Sequence, residues 1–268
     1  MLDKVIVVKL GGATLGSHDT AIEDMVELQQ QGKSLVVVHG GGKPITEWLM
    51  TQGISSQFVQ GQRVTDKATL EVVTAVLAGL VNKEIVAKIN NLEGRALGIS
   101  GVDGGLIQGR IKDKKLGYTG TVVKINFALL EVFLRLGYIP VVAPVSLYSF
   151  DKPSGAIPML NINADAVAGE IAAAIGAEKL VFLTDVIGIS GQSGNLLPKL
   201  SPGEAEALVT SGVISGGMIP KVEAGIRASS TTSAISIIDG RQPRALLREV
   251  EGGGSGTIIE AAGRSEIG

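Results

Sequence analysis

Short unbroken runs of Val, Ile and Leu alternate along this chain with longer stretches of helical period. The runs fall at residues 4–10, 34–39, 139–143, 179–184 and 234–239. Most lack polar alternation, as in parallel strands buried on both faces. Helices are predicted near residues 20–31, 44–52, 67–92, 127–136, 164–175, 202–210 and 219–228. Ser201-Pro202-Gly203-Glu204 supplies an N-cap, a proline at the first helical position and a capping-box glutamate. Strands alternating with helices predict an α/β fold with a mainly parallel sheet covered on both sides. Residues 96–123 break the rhythm. Their glycines, Asp103-Gly104-Gly105 and the β-rich 118–123 predict antiparallel hairpins inserted in the sheet. Residues 149–159, with Asp151, Pro153, Gly155 and Pro158, read as a turn or short hairpin. No linker, repeat or low-complexity tract interrupts the chain, so its two halves are expected to share one sheet.

Composition narrows the chemistry. There is no cysteine among the 268 residues, which excludes a disulfide scaffold, an iron–sulfur cluster, a zinc ribbon and a thiol nucleophile. Two histidines, His18 and His39, leave little room for a histidine-based metal site, and no metal ligand is assigned. A net charge of −2 gives no basic excess with which to hold nucleic acid. No uncharged apolar run reaches the roughly 18 residues a transmembrane helix needs. Met1-Leu2-Asp3-Lys4 carries no basic n-region or cleavage site, so a cytoplasmic protein is the expectation. Glycine stands out instead: 37 residues, about twice its usual share of roughly 7%, so its local placement becomes the main clue.

In open parallel sheets, ligands bind beyond the carboxyl ends of the strands. The first run ends Val8-Lys9-Leu10-Gly11-Gly12. A lysine inside a buried run either snorkels from the sheet edge or meets an anion, and two following glycines let backbone N–H groups approach a ligand. The second run ends His39-Gly40-Gly41-Gly42-Lys43-Pro44 before a helix, a turn that is either purely steric or a cradle for negative charge. It matches neither the Walker A loop nor the dinucleotide fingerprint. His39 reads as a packed, hydrogen-bonded strand-end residue rather than a catalytic base. Ser215-Gly216-Gly217-Met218-Ile219-Pro220-Lys221 places Lys221 in a first helical turn, where the macrodipole disfavours a cation. It is either a solvated lysine or one that faces a polyanion. Asn161-Ile162-Asn163-Ala164-Asp165 either caps the next helix or sets Asp165 between the two lysines. Arg63, in Gly61-Gln62-Arg63-Val64-Thr65, offers a bidentate fork for a carboxylate.

With Leu183-Thr184-Asp185-Val186-Ile187-Gly188-Ile189 and the closing Gly256-Thr257-Ile258-Ile259, these segments resemble the amino-acid kinase family, in particular its members that act on N-acetyl-L-glutamate. They occur in family order across nearly the whole chain. The resemblance implies a single three-layer αβα sandwich, with a lobe of about residues 1–176 for the amino acid and one of about 177–268 for ATP. It implies ATP-dependent phosphorylation of the side-chain carboxylate of N-acetyl-L-glutamate, the second step of arginine biosynthesis, with Mg²⁺ arriving on ATP. Lys9 and Lys221 would then stabilise the transferring phosphoryl group and Asp165 would organise them. The N–H groups of Gly12, Gly41 and Gly42 would contact the phosphoryl group and the acceptor. Arg63 and Asn161 would hold the α-carboxylate. Asp185, Val186, Ile187, Gly188, Ile189 and Ser190, with Val213, Ile214 and Ser215, match nucleotide-binding stretches.

The rival within the family is a sister kinase of lysine biosynthesis acting on α-aminoadipate displayed on a small acidic carrier protein, for which Lys112, Lys114 and Lys115 would supply a basic patch. A non-catalytic sensor on this fold would be expected to lack Lys9, Asp165 or Lys221, and all three are present. Arginine-inhibited members carry an extra N-terminal helix, and usually a histidine where this chain has Arg244. With the first run starting by Lys4, the expectation is a homodimer insensitive to arginine, without nucleic-acid or membrane partners.

Overall fold

The computed structural model describes residues 4–12, 20–59 and 61–260. In chain order the strands begin with β1 (Val5–Leu10), β2 (Ser34–His39), the short pair β3 (Phe58–Val59) and β4 (Gln62–Arg63), β5 (Ala96–Gly101), β6 (Ile107–Ile111) and β7 (Thr119–Ile125). They continue with β8 (Ile139–Tyr148), β9 (Met159–Ile162), β10 (Lys179–Thr184), β11 (Lys199–Leu200), β12 (Ala234–Asp239) and β13 (Thr257–Ile259). The helices are α1 (Ala21–Gln30), α2 (Gly42–Thr51), α3 (Lys67–Thr74), α4 (Asn82–Asn91), α5 (Ala128–Arg135), α6 (Ala164–Ile175), α7 (Pro202–Thr210), α8 (Ile219–Ala228) and α9 (Ala245–Val250).

All strands except β3 and β4 join one sheet that runs unbroken through both halves of the chain. At its centre β12, β10, β1, β2 and β8 lie side by side and parallel. From β1 the chain moves to β2 and β8 on one side, and only later to β10 and β12 on the other. The direction of winding therefore switches at the carboxyl ends of β1 and β10, where an open α/β sheet leaves a crevice.

Side-chain alternation decides what faces that crevice. Val5 and Val7 belong to the core beneath α6 and α8, with Val167, Ile171 and Val222. Ile6, Val8 and Leu10 belong to the opposite core, with Met25, Leu77 and Ile85. Lys9 continues the first set and points to the α6/α8 side. In β2, Leu35 and Val37 lie in the second core, so His39 continues toward α4. Helices α6 and α8 meet at Gly169, where a Cβ would stand 2.7 Å from the Ala224 carbonyl oxygen. That close approach brings Asp165, one turn before Gly169, up to the first turn of α8.

The structure departs from the sequence pattern in three places. The helix predicted at 67–92 forms as α3 and α4 joined by a π-helical segment, Ala75–Val81, a feature that recurs near functional sites. β5 is parallel to β8 rather than part of a hairpin, because it returns from α4 as a crossover strand; β6 and β7 do form an antiparallel pair. β8 runs on to Tyr148 beyond the predicted end and then pairs antiparallel with β9, closing the turn predicted at 149–159. No helix among the described residues is long and apolar enough to cross a membrane.

Candidate active site

At the crevice, the Lys9 ammonium lies 2.9 Å from Asp165 Oδ1, and that of Lys221 lies 3.3 Å from Oδ2. Lys9 is only 6% exposed and Asp165 5%, so the lysine is an interior group rather than a snorkelling one. Capping of α6 falls to Asn163, whose side-chain oxygen accepts from the N–H groups of Asp165 (2.8 Å) and Ala166 (3.1 Å). The Asp165 carboxylate is thereby left to the two lysines. Lys221 also donates to the Gly217 carbonyl at 3.0 Å. Two cations share one anion at the positive end of α8. The cluster therefore carries a net positive charge, which suits an anionic ligand.

A cavity of about 230 Å³ opens beside the cluster. Lys9, Asp165, Gly12, Arg63 and Asn161 line it, together with Gly40, Gly41 and Gly42. Gly41 is the N-cap of α2 and offers no side chain to the first turn, so those N–H groups are open to a ligand.

Arg63 forms the far wall and is 7% exposed. Its Nη1 donates to Ser56 Oγ (2.6 Å), and its Nη2 donates to Thr46 Oγ1 (2.9 Å) and the Gly42 carbonyl (3.1 Å). The Phe58 ring lies 4.6 Å from the guanidinium carbon. None of these partners is anionic, and burial pulls the arginine pKa below its ordinary value. A buried guanidinium that, among the described residues, is held by neutral groups at a cavity wall suits a carboxylate ligand. Asn161 lines the same wall, and its amide donates to Thr65 Oγ1 at 3.0 Å.

A second cavity, about 400 Å³, is lined by Val186, Ile187, Gly188, Ile189, Ser190, Val213, Ile214, Ser215 and Met218. Apart from Met218, these are all residues of the predicted nucleotide stretches; Asp185 is exposed and stands outside the lining. Gly188 has φ +151°, and a Cβ there would come within 2.7 Å of Thr257 Oγ1. That Thr257 oxygen accepts from the Ile189 N–H at 2.8 Å and donates to the Leu197 carbonyl at 2.7 Å, which ties the closing Gly256-Thr257 segment to the cavity wall. Met218 lines this cavity, and three residues later Lys221 reaches Asp165 in the other. The charged cluster therefore stands between the two cavities.

His39 is fully buried. Its Nδ1 lies 2.9 Å from the Gly40 carbonyl and its Nε2 3.2 Å from the Asn82 amide nitrogen. The neutral imidazole satisfies both contacts, as donor to the carbonyl and acceptor from the amide. Desolvation, aided by the Lys83 charge, lowers its pKa to about 4 from 6.5. The sign of the linkage follows. The unfolded chain takes up a proton as pH falls through 6.5 while the folded chain does not, so stability present above pH 6.5 is lost down to about pH 4. Urea denaturation at pH 7 and pH 4 is expected to differ by about 3 kcal/mol from this group alone. His39→Asn, which keeps a donor but does not titrate, should remove that portion of the slope; an unchanged slope would refute the assignment.

Thr46, Ser56, Phe58, Thr65 and Thr119 all support the Arg63 and Asn161 walls, yet only Thr65 falls in a motif, where no role marks it, and no spacing in the sequence marks the others. Scattered over α2, β3, β7 and the connections between them, these side chains carry no pattern of their own, and only the fold brings them to the arginine. Lys112, Lys114 and Lys115 are exposed and line neither cavity. Arg244 pairs with Glu27 (2.6 Å) and Asp24 (3.6 Å) of α1 and also lines neither.

The chain matches the amino acid kinase family over residues 4–239. It is 46% identical over 255 residues to the acetylglutamate kinase of Dehalococcoides mccartyi (strain CBDB1), covering 95% of this chain and 94% of that protein. It is 48% identical over 265 residues to the acetylglutamate kinase of Nostoc sp. (strain PCC 7120), covering 96% and 87%. Among solved structures, smu.665 of Streptococcus mutans UA159 is similar with a TM-score of 0.80 at 29% identity, covering 96% of this chain and 98% of that one.

Proposed function

As the chain belongs to the amino acid kinase family, we propose that it transfers the γ-phosphoryl group of ATP to the side-chain carboxylate of N-acetyl-L-glutamate. The product is N-acetyl-L-glutamyl 5-phosphate, and the reaction is the second step of arginine biosynthesis. The observation that carries this reading is the Lys9–Asp165–Lys221 cluster between two cavities, one of them walled by an arginine that has no acidic partner among the described residues. The relatives named as acetylglutamate kinases support the choice of acceptor, whereas no observation favours the carrier-linked aminoadipate reaction.

The chemistry asks for positioning and charge neutralisation rather than a covalent nucleophile. A glutamate side chain is ionised at neutral pH, so no general base is needed to activate it. The obstacle is repulsion between that carboxylate and the γ-phosphate. Two unit charges 4 Å apart repel by about 4 kcal/mol at an effective dielectric near 20. Lys9 and Lys221 offset this where charge gathers in the transition state, and Asp165 keeps the two ammonium groups together. In this reading the N–H groups of Gly12, Gly41 and Gly42 hold the phosphoryl group and the acceptor, while Arg63 and Asn161 hold the α-carboxylate. Residues 185–190 and 213–215 take the nucleotide.

The lobe of about residues 1–176 then binds the amino acid, and that of about 177–268 binds ATP. ATP would enter as its Mg²⁺ complex, and the ion would supply charge neutralisation to the phosphates. The exposed apolar side chains of Trp48, Leu80, Val132 and Leu136 support a homodimer, and we assign the enzyme a cytoplasmic setting.

An ATP-dependent hydroxamate assay with N-acetyl-L-glutamate, glutamate, aspartate and N-acetylaminoadipate tests the assignment. N-acetyl-L-glutamate is expected to be the best acceptor by a wide margin, and any other ranking overturns it.

A further inference from the structure

The two groups assigned to the substrate α-carboxylate, Arg63 and Asn161, are far apart in sequence but share one buried anchor. Thr119 Oγ1 lies 2.6 Å from the Arg63 carbonyl oxygen and 3.0 Å from Thr65 Oγ1. Thr65 Oγ1 lies 3.0 Å from the same carbonyl and 3.0 Å from Asn161 Nδ2. Thr65 is fully buried and Thr119 nearly so. Counting protons fixes the directions. Each hydroxyl has a single proton, and the short contact commits that of Thr119 to the Arg63 carbonyl. The Thr65 proton goes to the same carbonyl or to Thr119 Oγ1, and in either case a Thr65 lone pair is left facing Asn161. The Asn161 amide accordingly presents its nitrogen, which donates to Thr65 Oγ1. One N–H is used there, and the second remains for an acceptor in the cavity.

The backbone makes this anchor stiff. Thr65 N–H donates to the Leu116 carbonyl at 3.0 Å, and the Thr65 carbonyl accepts from Tyr118 N–H at 2.7 Å. Thr119 stands in register with Asn161 across the parallel β7–β9 pair.

We propose that Thr65 is a positioning residue for acceptor specificity: its buried hydroxyl orients the Asn161 amide as a donor to the substrate α-carboxylate and couples that amide to the Arg63 backbone. The inference rests on the reading that the cavity takes N-acetyl-L-glutamate by its α-carboxylate. It assigns Thr65 no contact with substrate; the hydroxyl acts through Asn161.

The test pairs Thr65→Val, nearly isosteric and without the hydroxyl, with two acceptors. One is N-acetyl-L-glutamate; the other is 4-acetamidobutyrate, the same molecule without its α-carboxylate. For T65V, KM for N-acetyl-L-glutamate is expected to rise about tenfold, on the scale of one hydrogen bond to a charged group. KM for ATP and kcat should stay within about twofold. With 4-acetamidobutyrate, wild type and T65V should be equally poor, since the carboxylate that reads the amide is gone. Thr65→Ser, which keeps the hydroxyl, should restore the wild-type KM. Thr65→Ala carries the same comparison if valine does not fit. An unchanged KM in T65V and T65A overturns the inference alone. So does an equal loss on both acceptors, or a T65S variant as impaired as T65V. Failure of the wild type to use N-acetyl-L-glutamate would overturn the functional reading and this inference with it.

Discussion

Methionine in place of Lys9 is expected to cut kcat by on the order of 10²–10³-fold, with KM for N-acetyl-L-glutamate and ATP nearly unchanged. The asymmetry follows from where the charge develops. In the ground state the acceptor keeps Arg63 and Asn161 on its α-carboxylate, and its side-chain carboxylate and the γ-phosphate keep the N–H groups of the glycine turns. On the proposed function, the charge that builds at the reacting centre is met by the ammonium groups of Lys9 and Lys221, which the structure holds 2.9 Å and 3.3 Å from one carboxylate. An interaction made mainly in the transition state shows in kcat and not in KM. The fold should tolerate the change. Lys9 is buried, methionine fills the same volume without a charge to desolvate, and Asp165 keeps Lys221 as its partner. Lys221→Met should lose turnover to a similar degree. The double variant should lose far less than the product of the two, because one cluster acts as a unit. Steady-state kinetics of the three purified variants decide this: a kcat within tenfold of wild type for K9M would remove the lysine from the chemistry.

Much of this site is legible in the residues themselves. Lys9 is a charge inside an apolar run, followed by glycines, so it must either snorkel from the sheet edge or meet an anion, and the structure shows it buried against Asp165. Asp165 and Lys221 each have an ordinary explanation in the sequence, a helix cap and a surface lysine. The structure removes both explanations, since Asn163 does the capping and Lys221 turns inward to the carboxylate. The segments that run in family order supply the connection that no single motif can.

What stays hidden in the sequence has a common physical cause. β3, β4, β11 and β13 span two or three residues each, too few for period-two alternation to register. Helix α9 is six residues long and follows an N-cap, Arg244, with φ +61°, so neither its period nor its entry follows the usual signals. The π-helical segment at Ala75–Val81 has the composition of any buried helix, and the widened turn that brings Leu77 to the cavity exists only in the packed state. The hydroxyls of Thr46, Ser56, Thr65 and Thr119 matter through long-range contacts, and sequence periodicity does not encode them.

Arg63 makes the opposite prediction to Lys9. Arg63→Met should raise KM for N-acetyl-L-glutamate by on the order of 10²-fold and leave kcat at saturation close to wild type. A guanidinium fork on a carboxylate is a charge-assisted contact made equally in the ground and transition states, so its loss weakens binding uniformly. The stability of the free enzyme should move little. Burying the cation among neutral partners costs solvation, and the three hydrogen bonds to Ser56, Thr46 and Gly42 repay only part of it. Methionine gives up those bonds and that cost together, and its side chain still packs under Phe58. The difference emerges on adding ligand. At a hundred times its dissociation constant, a ligand that binds only the folded state stabilises it by about 2.7 kcal/mol. Wild type should therefore show a clear rise in Tm with N-acetyl-L-glutamate at a concentration where R63M shows almost none. The Tm rise with ATP should be the same in both proteins. If R63M melted many degrees lower without ligand, the arginine would be a structural strut. If it kept the wild-type KM, the α-carboxylate would have to be held elsewhere in the cavity.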